Sequence, residues 1–251
     1  ECSPYLPKAF ISIEDERFET HCGIDIKRTL GATVKYVLSK LKIGKASYGG
    51  STITQQVIKK VTGEEDRDAK RKIREIVRAI QLEKWLSKDQ IIELYMNLIY
   101  LGEGSYGVEA ASHVYFDKNA SDLSIAECAL IGGLAQAPEG YNPYKYPEKA
   151  KNRQLLVLKK MYECGYISEN EYEEAKNEEL VYKKGNIELA SSNSYFIDAV
   201  IEKVIDDLQE EKGITRIMAQ KMVYNNGLKI YTTLDPKVQD ALETMFMVAG
   251  S

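Results

Sequence analysis

The sequence predicts a mainly α-helical fold. Apolar residues recur at helical spacing in several segments, capping boxes open two of them, and only one short stretch alternates like a β-strand. The chain has 44% hydrophobic and 29% charged residues, which is typical of a globular protein. No apolar run approaches the ~18 residues that a membrane-spanning helix needs.

The elements can be placed in order along the chain. Residues 26–42 and 66–86 carry apolar side chains at helical spacing. Residues 87–90 and 124–127 each pair a serine with Gln or Glu three positions later, which predicts two more helix starts. A turn rich in Pro and Tyr follows over residues 138–147.

The second half continues the helical pattern. Helices are predicted over about 148–164, 168–179 and 194–212, whereas residues 228–234 alternate like a strand after an Asn-Gly turn. We therefore expect a globular domain to about residue 180, a helical C-terminal extension over 181–227 and a different module over 228–251.

The charge is unevenly distributed. The net charge is −4, yet residues 24–48 carry six basic residues against Asp25 alone, and residues 59–78 carry eight bases against five acids. Two basic segments in an acidic chain indicate an anionic partner at one place and argue against a general nucleic-acid-binding surface.

The four cysteines form no CxxC pair, so the sequence predicts no metal site, and their pairing stays open.

Glu14 opens the first candidate site. It follows an apolar stretch over residues 9–13, so its carboxylate is expected at the edge of a buried region. Since burial favours the neutral form of a carboxylate, a glutamate in such a setting can accept a proton near neutral pH. The alternative is a solvated acidic turn.

Two further candidates are rich in donors. Residues 49–56 place two glycines before hydroxyl and amide side chains, as in a turn that leads into an anion-binding helix start. A plain cap explains Ser51, but it explains the whole run of hydroxyl and amide residues less well. Arg67, Arg71 and Glu75 share one helix face. That face is either a solvent-exposed salt-bridge network or a diphosphate site.

A fourth candidate combines Glu93 and Asn97, one turn apart on an otherwise apolar helix. Polar groups on such a face need partners. Two alternatives stay open for this pair: a structural role, in which the two side chains brace the fold through polar contacts, and contact with a substrate.

Taken in order, these segments resemble the motif series of the family 51 glycosyltransferases, the polymerising domains of class A penicillin-binding proteins and of monofunctional transglycosylases. EDxxFxxHxG is met at residues 14–23, GxSTITQQ with a following lysine at 49–59, RKxxE at 71–75 and ExYxN at 93–97. A fifth motif, a basic pair before Val-Leu, is met in part at 152–158, where its first Arg is missing.

The resemblance implies a lysozyme-like, mainly α fold with a large globular lobe and a small membrane-facing jaw at about residues 24–48. It assigns residues 1–180 to the glycosyltransferase domain. Residues 228–251 resemble the start of the linker towards a transpeptidase domain that is absent from this sequence. The implied location is the extracytoplasmic face of the bacterial cell membrane, with the anchor outside this chain.

The resemblance also implies inverting transfer from lipid II to a growing glycan chain. Glu14 is then the general base, and Glu75 orients the cations that meet the leaving diphosphate or assists its departure. This division fits a Glu14 with few cations nearby and a Glu75 surrounded by them. The implied substrate-binding residues are Ser51, Thr52, Gln55, Gln56, Lys59, Arg67, Arg71, Lys72 and Asn97.

The expected partners are lipid II, the growing glycan, the membrane surface through the jaw, and phosphoglycolipid inhibitors such as moenomycin, with no nucleic acid. No obligatory cofactor is expected, and a divalent cation (Mg or Mn) is an optional aid to the diphosphate. Two alternatives stay open: a glycan-cleaving lysozyme-like enzyme, and a non-catalytic helical module that binds membrane or a partner. The basic cluster argues against the first, because hydrolysis of a neutral glycan leaves no diphosphate to neutralise.

Overall fold

The computed structural model describes residues 2–29, 50–63, 69–183, 195–213, 216, 219, 222–223 and 230–232. The chain divides into two compact units, Glu1–Gly185 and Asn186–Ser251. Several predictions lie outside the described residues: the helix and jaw beyond residue 29, Gly49, Arg67, and all of the 228–251 module except residues 230–232.

The helices of the first unit whose bounds are described include α1 (Tyr5–Glu14), α2 (Ile53–Thr62), α3 (Ala69–Trp85), α4 (Lys88–Leu98), α5 (Val108–Phe116), α6 (Ile125–Leu134), α7 (Pro147–Glu163) and α8 (Glu169–Asn177). Short 3-10 turns lie at Phe18–Thr20 and Ala120–Asp122. The second unit contains α9 (Tyr195–Lys212). Among the described residues the β-structure consists of one isolated bridge, between Tyr100 and Tyr106.

The prediction of a mainly α-helical chain is confirmed. Both predicted capping boxes form, at Ser87 and at Ser124, and two more form at Thr52 and at Ser168. In each box the hydroxyl accepts the amide of the third helical residue, whose side chain accepts the amide of the capping residue. Helix ends in this fold are therefore set by local sequence.

The core of the first unit forms around α6, which is buried over residues 126–134 and packs between α1 and α7. Two adjacent glycines permit the close approach. A Cβ atom on Gly132 would lie 3.0 Å from the Cβ of Ala9 in α1, and one on Gly133 would lie 3.0 Å from the Cγ of Arg153 in α7. This contact fixes the end of α1, where Glu14 lies, relative to α7.

None of the described helices is both long and apolar enough to cross a membrane.

We expect Gly132→Val to lower the free energy of unfolding by about 1–3 kcal/mol, because the added side chain overpacks the interface with α1. Urea denaturation followed by circular dichroism measures the change. Gly140→Val is the matched control, since a Cβ atom there meets its nearest neighbour at an ordinary 3.5 Å. Equal stability of the two variants would contradict the packing argument.

Candidate active site

Glu14 is the last residue of α1 and its side chain is 15% exposed. Gln56 of α2 donates a hydrogen bond from Nε2 to Glu14 Oε2 over 3.1 Å, and the Tyr95 hydroxyl donates to Gln56 Oε1 over 3.3 Å. Burial, with smaller contributions from Glu14 and Asp15, raises the pKa of Tyr95 well above its ordinary value. A neutral phenol therefore holds Gln56, and Gln56 orients the carboxylate.

The expectation that few cations lie near Glu14 is wrong. The Arg153 guanidinium lies 3.9 Å from Glu14 Oε1, and the Arg28 guanidinium donates to the backbone oxygen of Glu14. Arg153 reaches this position because α7 packs close to α6 at Gly133, whose carbonyl accepts from Arg153 Nε over 3.2 Å. The contact joins residues far apart in sequence, so local composition could not reveal it.

Asp15 is fully buried and joins three segments. Its Oδ2 accepts the backbone amide of Ile53 and lies 2.9 Å from His21 Nε2. Since the Gly23 amide donates to His21 Nδ1, the ring proton sits on Nε2 and points to Asp15. The residue next to Glu14 thus anchors both the following loop and the start of α2.

Thr52 and Gln55 are buried and form the cap of α2. The Thr52 hydroxyl also donates to the Gly23 carbonyl over 2.7 Å. These two predicted substrate-binding residues therefore position the helix, and their exposure gives no support to direct substrate contact. Gln55 Nε2 is buried without a hydrogen-bond partner in the part of the chain that is described.

Three amides at the start of α2 are already used within the protein. The amide of Thr52 donates to Gln55, that of Ile53 to Asp15, and that of Gln55 to Thr52. These three amides are therefore not available for the anion-binding helix start considered from the sequence.

Glu75 lies on α3 and is only 4% exposed, so the predicted alternative of a solvent-exposed salt-bridge network does not apply to it. Arg71 Nη1 donates to Glu75 Oε2 over 2.6 Å, and Lys72 pairs with Oε1. Lys72 Nζ also donates to the Ser51 hydroxyl over 2.9 Å. Ser51, Arg71, Lys72 and Glu75 therefore form one cluster, which we call the Glu75 cluster.

Two other predicted residues lie elsewhere. Lys59 is exposed in the last turn of α2, where its ammonium is open to a ligand. Asn97 is exposed on α4 and lines a groove whose lining includes neither Glu14 nor Glu75. Its position gives no support to the predicted contact with the same substrate.

Sequence reasoning missed Glu83 on α3. This nearly buried carboxylate accepts from the Thr54 hydroxyl over 2.6 Å and pairs with Lys88, whose ammonium also donates to the His21 carbonyl over 2.7 Å. It therefore links α2, α3 and α4 to the loop after Glu14. Glu83 could have been recognised from the sequence by its position two helical turns beyond Glu75, on the same face of α3.

Gly23 lets α3 approach that loop. Its φ of +90° is unfavourable for other residues, and an added Cβ would lie 2.7 Å from the Ala79 backbone. Because Ala79 lies between Glu75 and Glu83, this contact sets the distance of α3 from the Glu14 loop.

Within the described ranges, no group of three or more His, Cys, Asp or Glu side chains could hold a metal ion.

Comparisons with known proteins identify the family. A transglycosylase family model matches residues 1–162. The chain is 41% identical to penicillin-binding protein 1A of Clostridium perfringens over 95% of this chain and 36% of that protein. It is 44% identical to the Clostridium tetani protein of the same name over 94% of this chain and 31% of that one.

Penicillin-binding protein 1A of Aquifex aeolicus is 43% identical over 92% of this chain and 30% of that protein. A crystal structure of penicillin-binding protein 1A from Haemophilus influenzae is 31% identical, covers 64% of this chain and 21% of that chain, and has a TM-score of 0.40. The chain spans about a third of the length of the curated relatives it matches. Its motifs and the family match agree, and the chain belongs to the transglycosylase family.

Proposed function

We propose that this chain is a peptidoglycan glycosyltransferase that polymerises lipid II into glycan strands for the bacterial cell wall. The observation that carries the proposal is the presence of two carboxylates in different environments: Glu14 is oriented by Gln56 at the end of α1, and Glu75 is buried and bound to two cations. Membership of the transglycosylase family supports it. A lipid-linked diphosphate substrate needs both a base and a cationic site, and the two environments supply them.

In this proposal Glu14 is the general base. Its ionised carboxylate takes the proton from the 4-hydroxyl of the acceptor sugar as that oxygen attacks the anomeric carbon of the growing chain. The bond from the anomeric carbon to the undecaprenyl diphosphate breaks on the opposite face, which inverts the configuration. Gln56 keeps the carboxylate in a fixed orientation, which general-base catalysis requires.

The Glu75 cluster and Lys59 take the leaving-group side. Arg71 and Lys72 meet the charge that develops on the diphosphate, and Ser51 supports Lys72. Since both oxygens of Glu75 are bound to these cations, we propose that Glu75 orients them and does not itself transfer a proton. Arg67 stays a prediction from the sequence.

No obligatory cofactor is proposed. A divalent cation (Mg or Mn) would bind chiefly to the substrate's diphosphate, because the described residues offer no cluster of acidic or imidazole ligands for it. A glycan-cleaving activity is disfavoured, because such a reaction has no use for the Glu75 cluster.

We also propose that the chain works at the extracytoplasmic face of the bacterial membrane. Near the predicted jaw, Ile26 and Lys27 are exposed. The outer face of α3 combines exposed apolar and basic side chains: Lys70, Ile73, Val77, Lys84 and Trp85. Such a mixture favours contact with anionic lipid headgroups.

Replacing Glu14 tests the base. Incubation of the chain with lipid II is expected to lengthen glycan, and Glu14→Gln is expected to reduce the rate at least about 100-fold with the fold retained. Gel separation of labelled glycan gives the rate, and circular dichroism checks the fold. Glu16→Gln, at an exposed carboxylate two residues away, is the control and is expected to stay active. Shortening of preformed glycan without polymerisation would refute the proposed activity.

Replacing Lys59 tests the leaving-group side. Lys59→Ala is expected to weaken binding of the phosphoglycolipid moenomycin about tenfold or more, because one charge-assisted contact to phosphate is lost. Calorimetric titration measures the affinity. Lys159→Ala, at another exposed lysine, is the control. Equal affinities for the two variants would remove Lys59 from the diphosphate site.

Trp85 tests the membrane surface. It is the single tryptophan of the chain and is 84% exposed, so its fluorescence reports on the outer face of α3 alone. We expect its emission to shift to shorter wavelength with phosphatidylglycerol vesicles and to stay unchanged with phosphatidylcholine vesicles. Ile73→Ser/Val77→Ser should reduce the shift. An unchanged emission with anionic vesicles would contradict contact through this face.

A further inference from the structure

The first unit carries a groove of about 940 Å³ that the proposed reaction does not use. It is lined by residues of α1 and α4, the start of α5 and the 3-10 turn at Ala120–Asp122. Its floor is apolar and consists of the nearly buried side chains of Ile11, Ile92, Met96 and Val108. A depression of this size with an apolar floor suits a ligand that brings apolar side chains of its own.

The rim of the groove is acidic. Four exposed carboxylates line it, those of Glu19, Asp89, Glu93 and Glu109, and Lys8 is the one basic residue among the lining side chains. The electrostatic potential at the groove is therefore negative. It is opposite in sign to the potential near the basic residues of the Glu75 cluster and of the outer face of α3. Anionic lipid headgroups and diphosphates are repelled from it.

Polar residues singled out in the sequence face this groove. Glu93 and Asn97 lie one turn apart on α4 and line the groove, and their side chains make no hydrogen bond or ion pair within the described ranges. Structural bracing by the described residues therefore does not account for these two side chains. Glu19 is equally unpaired, whereas Glu109 lies 3.2 Å from His113 and accepts the amide of Ala120.

We propose that this groove is a docking site for a basic amphipathic segment of a partner protein. Lysine or arginine side chains of the segment pair with Glu19, Asp89 and Glu93 at the rim. Its apolar side chains cover the floor, in the manner of a helix that binds in a groove. The unpaired acids at the rim attract the basic side chains of the segment. The apolar floor favours a segment that also has apolar side chains to bury.

A peptide series tests both halves of the proposal. The probe is a fluorescein-labelled 14-residue peptide with leucines at helical spacing and lysines between them, followed by fluorescence anisotropy at 0.15 M salt. We expect saturable binding of this peptide. A version with alanine in place of leucine, and one with glutamate in place of lysine, should each bind at least about tenfold more weakly. Equal binding of the alanine version would overturn the role of the floor.

A pair of protein variants locates the binding. Glu19→Lys/Glu93→Lys should weaken the leucine–lysine peptide at least about tenfold, whereas Glu174→Lys/Glu211→Lys makes the same change in net charge at exposed acids outside the groove and should bind as the original chain does. Circular dichroism checks that both variants are folded. Equal loss in the two variants would show unspecific charge attraction and overturn the site.

A second copy of this chain is the competing occupant. Sedimentation of the chain alone is expected to give a monomer at concentrations where the peptide binds. An oligomer that Glu19→Lys/Glu93→Lys disperses would assign the groove to self-association and overturn the proposed partner.

Discussion

The buried carboxylate of Asp15 is the interaction on which the proposed active site depends. One oxygen holds both the amide that begins α2 and the ring of His21. A carboxylate removed from water is costly unless donors compensate it, so a movement of α2 or of the loop would leave Oδ2 of Asp15 buried without these two partners. Glu14 is the adjacent residue, and its orientation by Gln56 of α2 follows from the same anchor.

The anchor extends to the opposite side of the site through His21. The loop that carries His21 is held by Lys88 and lies against α3 at Gly23, and α3 bears both Glu75 and Glu83. The shared helix α3 thus connects the proposed base side with the proposed leaving-group side.

The sequence predicts the helices well because their signals are local. Hydrophobic spacing and capping boxes act within a few residues, and the caps at Ser87 and Ser124 form as expected. The clustering of Arg71, Lys72 and Glu75 follows from helix geometry in the same way. The family resemblance adds the identity of the motifs, which spacing alone leaves open between structural and catalytic roles.

The contacts that needed the structure join distant segments. Arg153 reaches Glu14 only because Gly133 lets α7 approach α6, and Thr52 and Gln55 are committed to a cap that packs on Gly23. Asn97 faces a separate groove because α4 presents it on a different side from Tyr95. None of these contacts and orientations can be predicted from residues that are neighbours in the sequence.

Glu75 has a consequence for the end of the reaction cycle. It is a resident counter-ion for Arg71 and Lys72, so in the proposed reaction a departing diphosphate would compete with a carboxylate that is already in place. That competition would limit how tightly the spent carrier is held, and it would return the two cations to Glu75 after release. In an enzyme that adds many units in succession, the same glutamate would then govern how readily the site is cleared for the next one.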